Sequence, residues 1–301
     1  MKRVIVTGAT SFIGVHLVGS LIERGYYVHA LIRPDSRNKS RLPIDKHLNI
    51  VELEMDEYSS IPSFIKEAEY FYHLAWDGVR SIKRDNVIIQ QNNYRCSLTL
   101  INVARKMNCK RFIGIGSQAE YGELNGEITE NYPCKPVTEY GKAKLKTYTE
   151  LAQIAESNRI EFVWARLFSV YGEYDYQGSL IMSCIEKMRN NENVLLTACN
   201  QKWDYLHVKD AVSALIMLLE KPDVSGIYNI ASGENRELKS YVEEIKEIIG
   251  AESVLEYGAI SNQARKMINL KPNVEKLRNI GWNPSISFSE GIKMLCRNGN
   301  K

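Results

Sequence analysis

Along most of this chain, short apolar runs alternate with longer segments whose apolar residues recur every three or four positions. The runs "RVIVTG", "YVHALI", "NIVELE", "AEYFYHLA", "KRFIGIGS" and "EFVWARLFSVYG" read as buried strands separated by amphipathic segments. That rhythm predicts a parallel sheet with right-handed crossovers, doubly wound over roughly the first 170 residues. "FIGVHLVGSLIERG" predicts a helix closed by Gly25. After "SVYG" the rhythm loosens through "EYDYQGSLIMSCIEKMRNNENVLLTACNQKWDYLHVKDA", and a strand pattern returns at "GIYNIASG". The last 70 residues add amphipathic helices in "ELKSYVEEIKEIIG" and "NVEKLRNIGWNPSISFSEGIKML". The expected division is 1–170 with about 207–231 as one domain, and 171–206 with 232–301 as a smaller C-terminal lobe against the open end of the sheet.

Composition narrows the partners. With 301 residues, 44% hydrophobic and 25% charged, the chain can bury a sizeable core. Its formal charge is +3 and its basic residues are dispersed, which argues against nucleic acid and membrane surfaces and leaves small anions. No apolar run nears the roughly 20 residues that span a bilayer, and "VIVTGA" is too short for a signal peptide, so a cytoplasmic protein is expected. Cys96, Cys109, Cys134, Cys184, Cys199 and Cys296 form no CxxC pair and have no histidine at ligand spacing; free thiols and no metal are expected.

The stretch "VIVTGATSFIG" places Gly8 and Gly14 around "ATSFI", after a strand and at the opening of a helix. There, backbone N–H groups and the positive helix end can meet a pyrophosphate. Ser11 stands where a Rossmann turn carries its middle glycine; serine takes little room, and its N–H or hydroxyl is expected to face phosphate. Gly8, Thr10, Ser11, Phe12, Ile13 and Gly14 are therefore cofactor candidates. After the second strand, Arg33 occupies the place where an NAD-selective protein puts a carboxylate for the ribose hydroxyl. With Arg37 it suits a 2′-phosphate, so NADP(H) is favoured over NAD(H), with Asp35 as the counter-indication.

Tyr140 and Lys144 stand four apart in "TEYGKAKLK", on one face of a helix start. An ammonium beside a phenol favours the phenolate and brings the group toward acid–base chemistry. Ser117 closes the strand "FIGIGS" 23 residues earlier, at the sheet edge where ligands of open α/β folds bind. Ser117, Tyr140 and Lys144 are the catalytic candidates.

On "TGATSFIG", "YFYHLAW", "NNYRCSLTLINVARKMNCKRFIGIGSQAEYG", "YGKAK", "RLFSVYG", "KWDYLHVKDA" and "IGWNPSISFSEGI", the chain resembles an extended short-chain dehydrogenase/reductase of the nucleotide-sugar epimerase/dehydratase family. The resemblance implies a Rossmann-type sheet with a smaller substrate lobe, a catalytic set of Ser117, Tyr140 and Lys144, and a nucleotide-sugar substrate. It adds Asn93 behind that set, Leu74, Ala75 and Leu167 along the cofactor, and Asp56 of "EMDE" at the adenine. Gln118, Ser169, Gln201, Trp203, Tyr205 and Arg265 become substrate candidates, although Ser169 replaces the asparagine of the family's R-x-x-N-x-Y-G element. It further implies a homodimer through the helices carrying Asn93 and Tyr140. His73 and His207 read as structural.

Departures within the family separate the reactions. Proteins resembling 4,6-dehydratases carry acids directly after the serine or threonine; here Gln118 and Ala119 stand there, with Glu120 the nearest acid. Proteins resembling GDP-fucose synthases carry a cysteine where Ala119 stands. What remains is hydride exchange at one carbon, in the service of deoxysugar biosynthesis. The expectation is an NADPH-dependent reductase of an NDP-4-keto-6-deoxyhexose; the alternative is a 4-epimerase with retained NAD. A 4,6-dehydratase or a non-catalytic NADP-binding regulator ranks below both, the latter because the full Ser117, Tyr140 and Lys144 set is present.

Overall fold

The structure, a computed structural model, describes residues 1–261 and 269–298. The chain runs β1 (Arg3–Thr7), α1 (Phe12–Glu23), β2 (Tyr27–Ile32), β3 (Leu48–Glu52), α2 (Ile61–Phe64), β4 (Tyr70–His73), α3 (Val87–Lys106) and β5 (Arg111–Ser117). It continues with β6 (Asn125–Ile128), α4 (Glu139–Ser157), β7 (Glu161–Leu167), β8 (Val170–Tyr171), α5 (Leu180–Arg189), β9 (Val194–Leu196), β10 (Lys202–Trp203) and β11 (Leu206–His207). Then follow α6 (Val208–Glu220), β12 (Gly226–Ile230), β13 (Arg236–Glu237), α7 (Leu238–Ile249), β14 (Leu255–Tyr257), β15 (Asn269–Pro272), α8 (Glu275–Asn279) and α9 (Phe288–Asn298).

Seven strands form one sheet in the order β12-β7-β5-β4-β1-β2-β3. Pairing from β3 through to β7 is parallel throughout, as in Val4 with Val28 and with Tyr70. The chain winds outward from β1 through β2 to β3, then crosses to β4 and winds the other way. The carboxyl ends of β1 and β4 therefore flank the point where strand order reverses, the crevice in which open α/β sheets bind ligands. The expected strand runs fall in β1, β2, β3, β4, β5 and β7, and "GIYNIASG" in β12. Val4, Ile5 and Val6 have no solvent contact, which explains three consecutive β-formers without alternation. Helix starts follow from local chemistry: Ser11, Asn86 and Thr138 cap α1, α3 and α4 by accepting backbone N–H bonds.

The chain divides into two compact units. The first holds Met1–Gly122, Tyr132–Leu167 and Val212–Tyr228, with a core in which Phe71 stacks on Phe112 at 5.1 Å beside Leu100, Ile101 and Trp164. The second holds Glu123–Asn131, Phe168–Ala211 and the described residues from Asn229 on. It contains a four-stranded sheet, β13-β10-β15-β6, and a core of Tyr171, Ile181, Tyr241, Ile245 and Phe288. Residues 123–131, within the range expected for the first domain, cluster with the second because β6 pairs in parallel with β15. All six cysteines are free. Among the described residues no helix is long and apolar enough to cross a membrane, and no three His, Cys, Asp or Glu side chains are grouped to hold a metal ion.

Candidate active site

The glycine loop leaves β1 through Gly8 at φ +67, a left-handed conformation that favours glycine. A Cβ on Gly8 would lie 2.8 Å from Ala75 N, and one on Gly14 would lie 2.2 Å from Gly8 O. Both ends of the loop thus exclude a side chain. Ser11, between them, is exposed: its Oγ accepts Gly14 N–H at 3.1 Å and its own N–H donates to Gly8 O at 2.9 Å. The backbone donor of Ser11 is consequently taken up by the turn, and the hydroxyl proton is the part left to face a ligand. Phe12 and Ile13 open α1, whose positive end the loop surrounds. Thr10 Oγ1 meets Ser36 Oγ at 2.8 Å, tying this loop to the one after β2 that carries Arg33, Asp35 and Arg37, all exposed. Among the described residues neither arginine enters an ion pair. Leu74 and Ala75 follow β4, their N–H groups bonded to Thr7 O and Thr7 Oγ1. Asp56 is exposed in the 3-10 turn Met55–Ser60. The glycine cradle and the helix end fit the pyrophosphate of a dinucleotide.

Ser117, Tyr140 and Lys144 come together in the first unit. Ser117 is the last residue of β5, and α4 approaches it closely: a Cβ on Gly141 would lie 2.4 Å from Ala119 O. The glycine after Tyr140 is thus what lets the phenol approach Ser117, whose hydroxyl favours its ionised form. Burial raises the Tyr140 pKa above its ordinary value, opposed by the Ser117 hydroxyl and by the positive charge of Arg84. Lys144, 3% exposed, donates from Nζ to Ile115 O at 2.7 Å and lies 5.9 Å from the Tyr140 ring. Burial pulls its pKa down to about 7, against the attraction of Glu120. The spacing of four does set both residues on one helix face, but the ammonium turns to the Ile115 carbonyl, and the charge acting on the phenol is that of Arg84.

Glu120 has a different task from that of a substrate acid. Its carboxylate accepts Ser117 N–H at 2.7 Å, Trp164 Nε1–H at 3.0 Å and Arg166 Nε–H at 2.7 Å, with no solvent contact. It fixes the end of β5 from inside. Gln118 Oε1, by contrast, is buried without a hydrogen-bond partner among the described residues.

The loop between β4 and α3 brings two side chains to this place that the sequence reading did not single out. The guanidinium of Arg84 lies 4.7 Å over the Tyr140 ring, and the Trp76 ring stands perpendicular to the same ring at 6.2 Å. Their signal lies in α3: Asn93, 1% exposed, accepts Asp77 N–H and donates to Asp77 O, so it braces the loop. His73 bonds Thr7 Oγ1 and Ser97 Oγ, hydroxyls rather than the backbone, and burial lowers its pKa to about 3. His207 closes β11 and packs edge-on against Tyr171. Leu167 closes β7, half-buried.

In the second unit, Ser169 Oγ accepts Trp203 Nε1–H at 2.8 Å, which fixes a half-buried indole. Tyr205 belongs to an aromatic cluster with Tyr171, Tyr241 and Phe288. Asp204 is fully buried and accepts Ser232 N–H, Ser232 Oγ–H and Gly233 N–H; its place is structural. Gln201 is half-buried, its carbonyl taken by Leu238 N–H. Arg265 lies outside the described residues.

Residues 4–231 match the model of the NAD dependent epimerase/dehydratase family. Over 302 residues the chain is 30% identical to CDP-abequose synthase of Salmonella muenchen, covering 98% of this chain and 97% of that protein. UDP-glucose 4-epimerase of Thermotoga maritima, solved with UDP-glucose, is 25% identical with a TM-score of 0.88, covering 99% of this chain and 100% of that one. dTDP-glucose 4,6-dehydratase of Bacillus anthracis, solved with NAD, shares the fold at a TM-score of 0.86 and 21% identity, covering 99% and 96%.

Proposed function

The chain belongs to the NAD dependent epimerase/dehydratase family, and from that premise we propose that it is an oxidoreductase of nucleotide-diphosphate sugars, reducing the C4 keto group of an NDP-4-keto-6-deoxyhexose with NADPH. The observation that carries the reading is the convergence of Ser117 at the end of β5 with Tyr140 and buried Lys144 on one face of α4, where the Gly141 backbone packs against Ala119.

Gly8, Thr10, Ser11, Phe12, Ile13 and Gly14 would hold the pyrophosphate, Leu74, Ala75 and Leu167 would flank the dinucleotide, and Asp56 would stand at its adenine. When bound, the dinucleotide supplies the hydride. Ser117 would hold the carbonyl oxygen and Tyr140 would give it a proton, interactions that strengthen as charge develops there. Burial keeps Tyr140 protonated, which suits a group that donates its proton in the reductive direction. Gln118 Oε1, buried and unpartnered, would accept a hydroxyl of the sugar. Ser169, Gln201, Trp203 and Tyr205 remain the proposed substrate contacts of the second unit. Arg33 and Arg37, exposed and without ion pairs among the described residues, support NADPH over NADH.

A second reading, a 4-epimerase with retained NAD, draws on the likeness to the Thermotoga maritima UDP-glucose 4-epimerase. Elimination of water as in a 4,6-dehydratase has less support, because Glu120 is enclosed by Arg166, Trp164 and Ser117. One experiment separates them. The purified protein is offered NADPH or NADH with a panel of 4-keto-6-deoxyhexose nucleotides, and in parallel UDP-glucose and UDP-galactose without added cofactor. Stoichiometric NADPH oxidation supports the reductase; redox-neutral interconversion replaces it with the epimerase. If neither is seen, both readings fall.

A further inference from the structure

Trp76 sets its indole ring 3.5 Å from Lys144 Nζ, while its plane stands at 89° to that of the Tyr140 ring. The indole is held in place: Nε1 donates to Gln90 Oε1 at 2.9 Å. Gln90 is 2% exposed and gives its amide to the carbonyls of Gly78 and Lys83, while Asn93 holds both polar groups of the Asp77 backbone. The loop is thus stitched to α3 along its length, with the one polar atom of Trp76 included in the stitching.

The ammonium it faces is poorly provided for. Lys144 lies in the interior with Ile115 O as its hydrogen-bond acceptor. Glu120, on the turn after β5, attracts it but already receives Arg166, Trp164 and Ser117. From β4, His73 faces it as a neutral ring; from β7, the Trp164 ring lies 5.8 Å away. On its own helix Tyr140 is protonated, and Arg84 beyond that ring is a like charge. A cation without a free anion is stabilised by an aromatic face, most strongly when water is excluded.

We propose that Trp76 is a positioning residue for Lys144: its indole face holds the ammonium charged and fixed against the Ile115 carbonyl, and Gln90 fixes the indole for that task. The inference rests on the reading of Lys144 as part of the catalytic set. It gives the loop after β4 a chemical role in addition to flanking the dinucleotide.

The test reads Lys144 directly in the cofactor-free protein, by NMR of lysine labelled with ¹³C at Cε, the signal being assigned by its loss in Lys144→Met. Because the indole face favours the ammonium, its removal lowers the Lys144 midpoint. Trp76→Leu should lower it by roughly half to one pH unit, the scale of a partly desolvated cation–π contact. Trp76→Phe should lower it less, and Gln90→Leu partway. A Lys144 midpoint unchanged in Trp76→Leu, or in Trp76→Phe and Gln90→Leu if the leucine variant does not fold, would overturn the proposal and leave Trp76 as packing. If the midpoint moves but no nucleotide sugar turns over, the proposed function fails while the positioning role stands.

Discussion

Arg166 Nε lies 2.7 Å from Glu120 Oε2, with the two side chains 1% and 0% exposed. The pair joins β7 to the turn after β5, where the same carboxylate accepts the N–H of Ser117. Gly116 of β5 is paired in register with Arg166, so the guanidinium is delivered by strand pairing to the residue that fixes the serine. The Arg166 charge also stacks 4.4 Å over Tyr121, the residue that follows the turn. Placement of Ser117 is therefore tied to a core ion pair, and its orientation does not depend on solvent-exposed groups.

Glu120→Gln should destabilise the protein by about 3–5 kcal/mol, because it leaves a buried guanidinium without its counter-charge. Glu120→Gln combined with Arg166→Met should recover part of that loss. Chemical denaturation of the single and double variants checks both statements. A dehydratase role for Glu120 predicts the opposite pattern: native stability in Glu120→Gln with turnover abolished.

Tyr140→Phe should lower turnover by about 10²–10⁴-fold, the usual contribution of a positioned proton donor. Dinucleotide affinity, read by fluorescence titration, should stay close to that of the unsubstituted protein. Ser117→Ala removes a hydroxyl that pulls the Tyr140 pKa down, so the phenol stays protonated to higher pH. The residual reductive activity of that variant should therefore persist further into alkali. Near-normal turnover in Tyr140→Phe would remove the tyrosine from the chemistry.

Residues set by one element were legible in the sequence. The glycine loop lies between β1 and α1, Tyr140 and Lys144 share α4, and Ser117 closes β5, so periodicity and local turn chemistry were enough to place these candidates on their elements. The placement of Trp76 and Arg84 depends on how the loop after β4 folds over α4, and no local pattern encodes that. The hint was polar residues on the buried face of α3, Gln90 and Asn93, whose partners are loop backbone groups. Glu120 and Arg166 stand 46 apart and meet only because β5 and β7 are neighbours. Two-residue strands such as β8, β10 and β13 carry too few positions for an alternation to show.

Arg33→Ala should weaken NADPH far more than NADH. Loss of one charge-assisted contact to a phosphate is worth roughly 1.5–3 kcal/mol, about ten- to a hundredfold in relative kcat/KM. Arg37→Ala should act in the same direction and less strongly, since it lies four residues further along the exposed loop. The ratio of kcat/KM for the two cofactors is the measurement. An unchanged ratio in both variants would reassign the selectivity to Asp35 and to NAD.

His73 offers a test of how dry the site's floor is. The ring is 2% exposed, bonded on both nitrogens to Thr7 and Ser97, and burial lowers its pKa from 6.5 to about 3, with the Lys144 charge acting in the same direction. Between those two values the unfolded chain binds a proton that the folded chain refuses. Stability should accordingly be full above pH 6.5 and fall as pH drops toward 3, at up to about 1.4 kcal/mol per pH unit from this group. His73→Asn should be less stable at neutral pH, having lost the ring beside Phe112, but its stability should fall less steeply with acid. Denaturant titrations across that window should show the two curves converging as pH falls. Parallel curves would mean that the imidazole titrates alike in both states, and the neutral ring facing Lys144 would have to be given up.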